Sequence, residues 1–104
     1  MSACLIVRAQ VVDATVKGAF DRWYHEEHLR DCIRDFGGHR AWRGWSEVDP
    51  SVHYAVYEFD DVAQARAVVG SDALKRRAAE FDGKWGDKVV RKRDLVEVFQ
   101  TIGS

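Results

Sequence analysis

The sequence predicts an α+β domain of β-α-β-β-α-β order, its four strands forming one antiparallel sheet with both helical regions on a single face. Two observations predict it. Four segments rich in β-branched and aromatic residues alternate with two segments that carry helix caps and almost no breakers. A length of 104 residues suits one hydrophobic core, so residues 1–104 are read as one domain. Short connections between such elements are best satisfied by an antiparallel sheet covered on one side by its helices.

Leu5 to Val12 is Val- and Ile-rich with Arg8 and Gln10 interposed, a strand with something polar on one face. Asp13 or Thr15 caps the next element, and Ala14 to Phe36 holds no Pro and only Gly18, so a long helix is expected. Gly37-Gly38 ends it. His39 to Val48, with Trp42, Trp45 and Val48 among polar residues, forms a second strand, and Asp49-Pro50-Ser51 turns it into Val52 to Phe59 as a hairpin. Asp60 and Asp61 offer a cap for a helix from Val62 to Val69, and Ser71 restarts a helix to about Phe81. Asp82 to Asp87, with Gly83, Trp85 and Gly86, reads as a loop carrying one large buried ring, and Val89 to Ile102 alternates as the last strand.

Both faces of this sheet carry large apolar groups. Leu5, Val7 and Val11 point one way and Ile6 and Val12 the other; Tyr54 and Val56 one way, Tyr57 and Phe59 the other. The helices cover one face, and a second copy of the chain is the simplest cover for the other, which predicts a homodimer.

Composition excludes several function classes. With 46% hydrophobic and 32% charged residues the chain is globular, and a net charge of −1 gives no reason to expect a nucleic-acid partner. Cys4 and Cys32 lie in no C-x-x-C or zinc-type spacing and are expected as small core residues in a reducing compartment. The short apolar run before Arg8 makes neither a signal peptide nor a membrane span, so cytoplasmic residence is the default expectation.

Candidate chemistry lies on the first helix. Projected at about 100° per residue, Val16, Phe20, Trp23 and Glu27 share a stripe with Tyr24 and Asp31 beside it, whereas Leu29, Ile33 and Phe36, flanked by Cys32, fall nearly opposite. The apolar face therefore switches within Tyr24-His25-Glu26-Glu27-His28, where the helix bends, ends or is buried on both sides. A carboxylate on an apolar stripe has its pKa raised unless paired, and an adjacent His titrates near neutrality. Such a cluster moves protons; the alternative is a structural Glu27 paired with Arg8 or Arg30.

The run Phe20-Asp21-Arg22-Trp23-Tyr24-His25-Glu26-Glu27-His28-Leu29 resembles the W-Y-x-x-E-H-L signature on the first helix of dimeric α+β-barrel proteins, a ferredoxin-like group with EthD-like and stress-responsive members. The element order agrees over essentially the whole chain, as does the Trp85-Gly86 step into a strand ending Glu97-Val98-Phe99. The resemblance implies a sheet-to-sheet homodimer with a cavity between sheet and helices in each subunit. It implies that Trp23, Tyr24, Glu27 and His28 point at or near that cavity. It leaves the reaction open, because relatives include cofactor-free monooxygenases, cyclases, isomerases, decarboxylases and haem-degrading enzymes. The family often has Pro after His-Leu, where this chain has Arg30.

The expected function is a cofactor-independent enzyme performing proton transfer, as an isomerase, cyclase or lyase, on a hydrophobic aromatic or polyketide-like small molecule. His28 is the general acid/base, Glu27 its electrostatic partner or an alternative base, and Tyr24 a hydroxyl donor. Trp23, Phe20, Tyr57 and Trp42 are candidate cavity walls, and Arg8, on the side of Ile6, is placed to stabilise developing negative charge. Trp42, Trp45 and Trp85 either stack a planar ligand or pack as core and dimer contacts. The runs Lys75-Arg76-Arg77 and Lys88 to Arg93 are read as solvated faces, and His39 and His53 fall near the ends of the hairpin strands. No metal is expected: His25 and His28, three apart, are the one pair able to share a helical face. Two other classes stay open, a dimeric ligand-binding or stress-associated protein without turnover, and a cofactor-free or haem-using monooxygenase.

Overall fold

A computed structural model describes residues 1–103. Strands β1 (Ala3–Val11), β2 (Arg40–Trp45), β3 (Val52–Phe59) and β4 (Val89–Glu97) form one antiparallel sheet of order β2-β3-β1-β4. Leu5 pairs with Tyr57 on one side and Leu95 on the other, so odd-numbered residues of every strand share one face. On β1 those residues are all buried, and Ala3, Leu5, Val7, Ala9 and Val11 form the floor of the core. The even residues Cys4, Ile6, Arg8 and Gln10 lie on the opposite, open face.

The helices cover the odd face. Asp13 caps a 3₁₀ turn, Ala14–Val16, by accepting the Thr15 N–H, and the chain runs on through α1 (Lys17–Trp23), a π-turn (Tyr24–His28) and α2 (Leu29–Phe36). Gly37, at φ 73°, closes α2 in the left-handed conformation that glycine adopts without penalty. Beyond the hairpin, Asp61 caps α3 (Val62–Val69) through the Gln64 N–H, and Ser71 caps α4 (Asp72–Trp85) through the Leu74 N–H.

Several boundaries differ from the sequence expectation: β1 spans Ala3–Val11 rather than Leu5 to Val12, and β2 stops at Trp45 rather than Val48. α4 continues to Trp85 and absorbs Asp82 to Trp85 of the Asp82 to Asp87 segment assigned to a loop. A helical Gly83 costs about 1 kcal/mol relative to Ala, but Phe81 and Trp85, four apart, both bury their rings in the core, which outweighs it. Gly86, at φ 56°, then ends the helix. The last strand stops at Glu97 rather than Ile102, and Phe99 and Ile102 are exposed.

Gly38 is fixed by contact. A Cβ there would sit 2.8 Å from the Glu58 carbonyl oxygen and 2.9 Å from Ile33 Cδ1, whereas one at Gly83 meets nothing within 4 Å. Gly38→Ala is therefore expected to destabilise the protein by about 1–3 kcal/mol. Gly83→Ala should stabilise it by roughly 0.5–1 kcal/mol. Urea unfolding of the two variants checks both signs.

Candidate functional site

The site is built by the π-turn. The Leu29 N–H donates to the Tyr24 carbonyl, five residues back, so one extra residue is accommodated in that turn. As a result the His28 imidazole stacks on the Trp23 indole, centroids 4.0 Å apart and planes 16° from parallel. In an α-helix residues five apart lie about 140° apart and do not stack. The phase shift lets Phe20, Trp23 and Tyr24 before it, and His28, Cys32 and Phe36 after it, all face inward. The switch of apolar face across residues 24–28 is thus a π-turn, not a bend or a helix end.

Glu27 is the corresponding correction. The expected stripe assumed a uniform 100° step; with the π-turn, His25, Glu26 and Glu27 are exposed and only His28 turns in, 4% exposed. The carboxylate stays in water, and His25 and His28 do not share a face.

His28 borders a cavity of about 30 Å³ between the sheet and helices α2 and α4. Its inner wall is Val7 of β1, Tyr57 of β3, Tyr24, Cys32 and Phe36; Leu74, Ala78 and Phe81 of α4 close it from above. Arg77 of α4 with Arg91 and Arg93 of β4 complete the lining. The Cys32 Sγ lies 3.4 Å from His28 Nε2, and the Tyr57 hydroxyl faces the Tyr24 hydroxyl and the Cys32 thiol. Glu80 Oε1 is 4.0 Å from His28 Nδ1, too far for a hydrogen bond.

The electrostatics of this pocket disfavour every charged form at its centre except the arginines. Burial, with Arg77 and Arg91 nearby, lowers the His28 pKa to about 3, so the imidazole is neutral rather than titrating near neutrality as expected from sequence. Burial pushes the Cys32 thiol up to about 12 and raises the hydroxyls of Tyr24 and Tyr57 well above the usual phenol range. The pocket therefore offers one proton acceptor, His28, among protonated hydroxyl and thiol groups.

Arginines expected on solvated faces line this site. Arg77 is 16% exposed and is bound by Asp35 at 2.7 Å, Glu80 at 3.0 Å and Asp31 at 3.5 Å. Arg91 reaches Asp82 at 3.1 Å and lies 4.6 Å over the Phe81 ring. Odd numbering on β4 is the signal that places Arg91 and Arg93 on the helix side, and it needs the strand register to be seen.

The other sequence candidates divide. Tyr24, His28 and Tyr57 meet at the cavity, and Trp23 backs it by stacking on His28. Phe20 is wholly buried among Trp45, His53, Phe81 and Trp85, an aromatic core contact rather than a cavity wall. Arg8 and Trp42, both even-numbered, project from the open face of the sheet, away from the cavity and from Glu27. Trp42 is 49% exposed and donates its indole N–H to Glu58 at 3.0 Å. The alternation that put Arg8 beside Ile6 was right; assigning that side to the cavity was not. His53 is a second buried histidine, held by Arg43 at 3.3 Å and lowered to about 4 by burial and that guanidinium. His39 contacts Asp60 at 3.0 Å. Among the described residues no three His, Cys, Asp or Glu side chains gather as metal ligands, and no helix is long and apolar enough to cross a membrane.

No protein-family model and no curated protein matches the chain. Solved structures do. SnoaB, a cofactor-independent oxygenase from Streptomyces nogalater, is 14% identical, with a TM-score of 0.66 over 99% of this chain and 98% of its own. An EthD family protein from Bacillus halodurans is 17% identical, with a TM-score of 0.73 over 95% of this chain and all of its own, 100%. The fold is ferredoxin-like α+β, as in these structures. HapK from Hahella chejuensis shares it, at 14% identity and a TM-score of 0.68 over 98% of this chain and 97% of its own. In this fold the segment resembling the family signature is the π-turn that carries His28.

Two neutral buried histidines make stability depend on acid. The unfolded chain takes up protons at His28 and His53 below about pH 6.5, where the folded protein does not until about 3 and about 4. Stability should be full above about pH 6.5 and fall as pH drops toward 4, each histidine contributing up to about 1.4 kcal/mol per pH unit. Denaturant titrations from pH 7.5 to 4.5 should show this slope, reduced by nearly one proton in His28→Gln.

Proposed function

We propose that this protein is a small cofactor-independent enzyme that removes a proton from a hydrophobic aromatic or polyketide-like molecule, with His28 as base. The observation that carries the reading is a neutral, buried imidazole placed at a cavity with the protonated hydroxyls of Tyr24 and Tyr57. The imidazole accepts the proton of an enolisable C–H or a phenolic O–H, and a hydroxyl donates a hydrogen bond to the oxygen on which negative charge develops. Trp23 holds the ring plane of His28 by stacking. A cavity of about 30 Å³ admits only the reacting end of such a molecule unless α4 moves. Reprotonation elsewhere would complete an isomerisation. Transfer of the carbanion's electrons to dioxygen with C–O bond formation, the proton on His28 returning to the peroxide to give a hydroperoxide, would make the reaction an oxygenation, a second reading supported by the likeness to SnoaB, a cofactor-independent oxygenase.

The working unit is proposed to be a homodimer joined through the open faces of its sheets. Trp42, Val56 and Ile6 lie side by side across β2, β3 and β1, with Val96 on β4 in the next row. Trp42 and Val96 are exposed apolar groups on this face. Arg8 and Trp42 belong to this interface on the proposed reading.

Hydroxynaphthoquinone- and β-dicarbonyl-type compounds in D₂O provide the test, with proton exchange followed by NMR and dioxygen by electrode. His28→Gln should slow the reaction by roughly 10²–10⁴-fold, and Glu27→Gln should leave it within a few-fold. Equal rates in wild type and His28→Gln would remove His28 from the chemistry. Tight binding with neither exchange nor oxygen uptake would make the protein a ligand carrier. The Trp42→Glu, Val96→Glu double variant should sediment as a folded monomer where the wild type sediments as a dimer.

A further inference from the structure

We infer that the cavity continues into a surface groove beside β4, and that Arg93, between the two, binds an anionic group on the substrate. This rests on the proton-transfer reading and names the substrate class: a hydrophobic molecule bearing a carboxylate or an acidic enol near its reacting end.

Size is the first argument. The cavity at His28 is about 30 Å³, whereas the groove lined by Leu5, Val69 and Leu95 is about 390 Å³, within the range of about 300–1,000 Å³ that small ligands occupy. Arg93 lines both. A substrate with its apolar body against Val69 and Leu95, over the buried Leu5, would therefore pass Arg93 before its reacting end meets His28.

Charge is the second. Arg77 has three acidic partners and Arg91 has Asp82, but among the described residues Arg93 has no carboxylate within 4.0 Å. It stands two residues from Arg91 on the same face of the edge strand, in register with Val7 on the cavity floor. Arg93 is exposed enough to meet a ligand, and its partial burial and the Arg91 charge work against its own charge, which Asp82 offsets only in part. An anion relieves that repulsion, and a planar guanidinium binds a carboxylate through two parallel hydrogen bonds. Asp94 also borders the groove, which keeps the groove itself from attracting the anion.

The experiment compares 2-naphthoate with its neutral analogue 2-naphthamide by calorimetry, with the His28 ring signals in NMR reporting arrival at the cavity. Wild type should bind naphthoate at least ~10-fold more tightly than naphthamide, Arg93→Gln should abolish the difference, and Lys92→Gln, on the open face, should keep it. If both probes shift the His28 signals with equal affinity, or if Arg93→Gln retains the preference, the Arg93 assignment is wrong while the His28 cavity stands. If neither probe moves the His28 signals, the cavity reading falls and the Arg93 assignment falls with it.

Discussion

The stack of His28 on Trp23 is the contact on which the rest of the site depends. Residues five apart meet face to face because the turn between them holds one residue more than an α-helix allows. Without that residue the helix would continue the phase set by Phe20 and Trp23, burying Glu27 against the sheet and turning His28 away. A buried, unpaired carboxylate is among the most destabilising groups a small core can hold. An exposed Glu27 and an imidazole that folds in neutral, with one altered turn between them, is the more favourable arrangement. The same shift brings Cys32 and Phe36 onto the inner face, so α2 packs on the sheet and closes one side of the cavity.

The sheet contributes through strict alternation. Because β1 is central and pairs with both β3 and β4, its register decides at once which residues of three strands meet the helices. Odd numbering sends Val7, Tyr57, Arg91 and Arg93 toward the cavity and even numbering sends Arg8, Val56 and Lys92 to the open face. A shift of one residue on β4 would exchange its arginines for Lys92 and Asp94. The β4 part of the cationic rim, Arg91 and Arg93, is thus a consequence of pairing rather than of a local motif, and α4 adds Arg77.

Most of the architecture was legible in the sequence because it rests on local signals. Asp13, Asp61 and Ser71 each cap the helix they precede, Gly37 closes α2, and Val52 to Phe59 is a strand over its full extent. The segment where the first helix changes face was legible too, to the residue; the device was not, since a periodic projection has no way to insert a residue into a turn. Non-local facts were out of reach for a related reason. Arg8, Arg91 and Arg93 look alike as interruptions of apolar strands, and only cross-strand register separates the one on the open face from the two at the cavity. Arg77 looked solvated because its acidic partners Asp31 and Asp35 are some forty residues earlier in the chain.

The low pKa of His28 bears directly on how the proposed reaction would begin. A base whose conjugate acid has a pKa of about 3 is poorly matched to abstraction at neutral pH, where efficiency is best with a pKa near that of the medium. Burial is the largest cause, and the guanidinium charges of Arg77 and Arg91 add to it. On the proposed reading an anion seated at Arg93 offsets part of that positive field, and the His28 proton affinity rises by that part while burial continues to hold it down. On the proposed reading the free site is therefore a weak base and the occupied site a stronger one, so that substrate charge, rather than Glu27, takes the part of the partner carboxylate that a simple dyad would require. An imidazole kept neutral for the sake of the fold is in this way compatible with an imidazole called on to accept a proton: burial sets the first condition, and the ligand's own charge offsets the part that the arginines add to it.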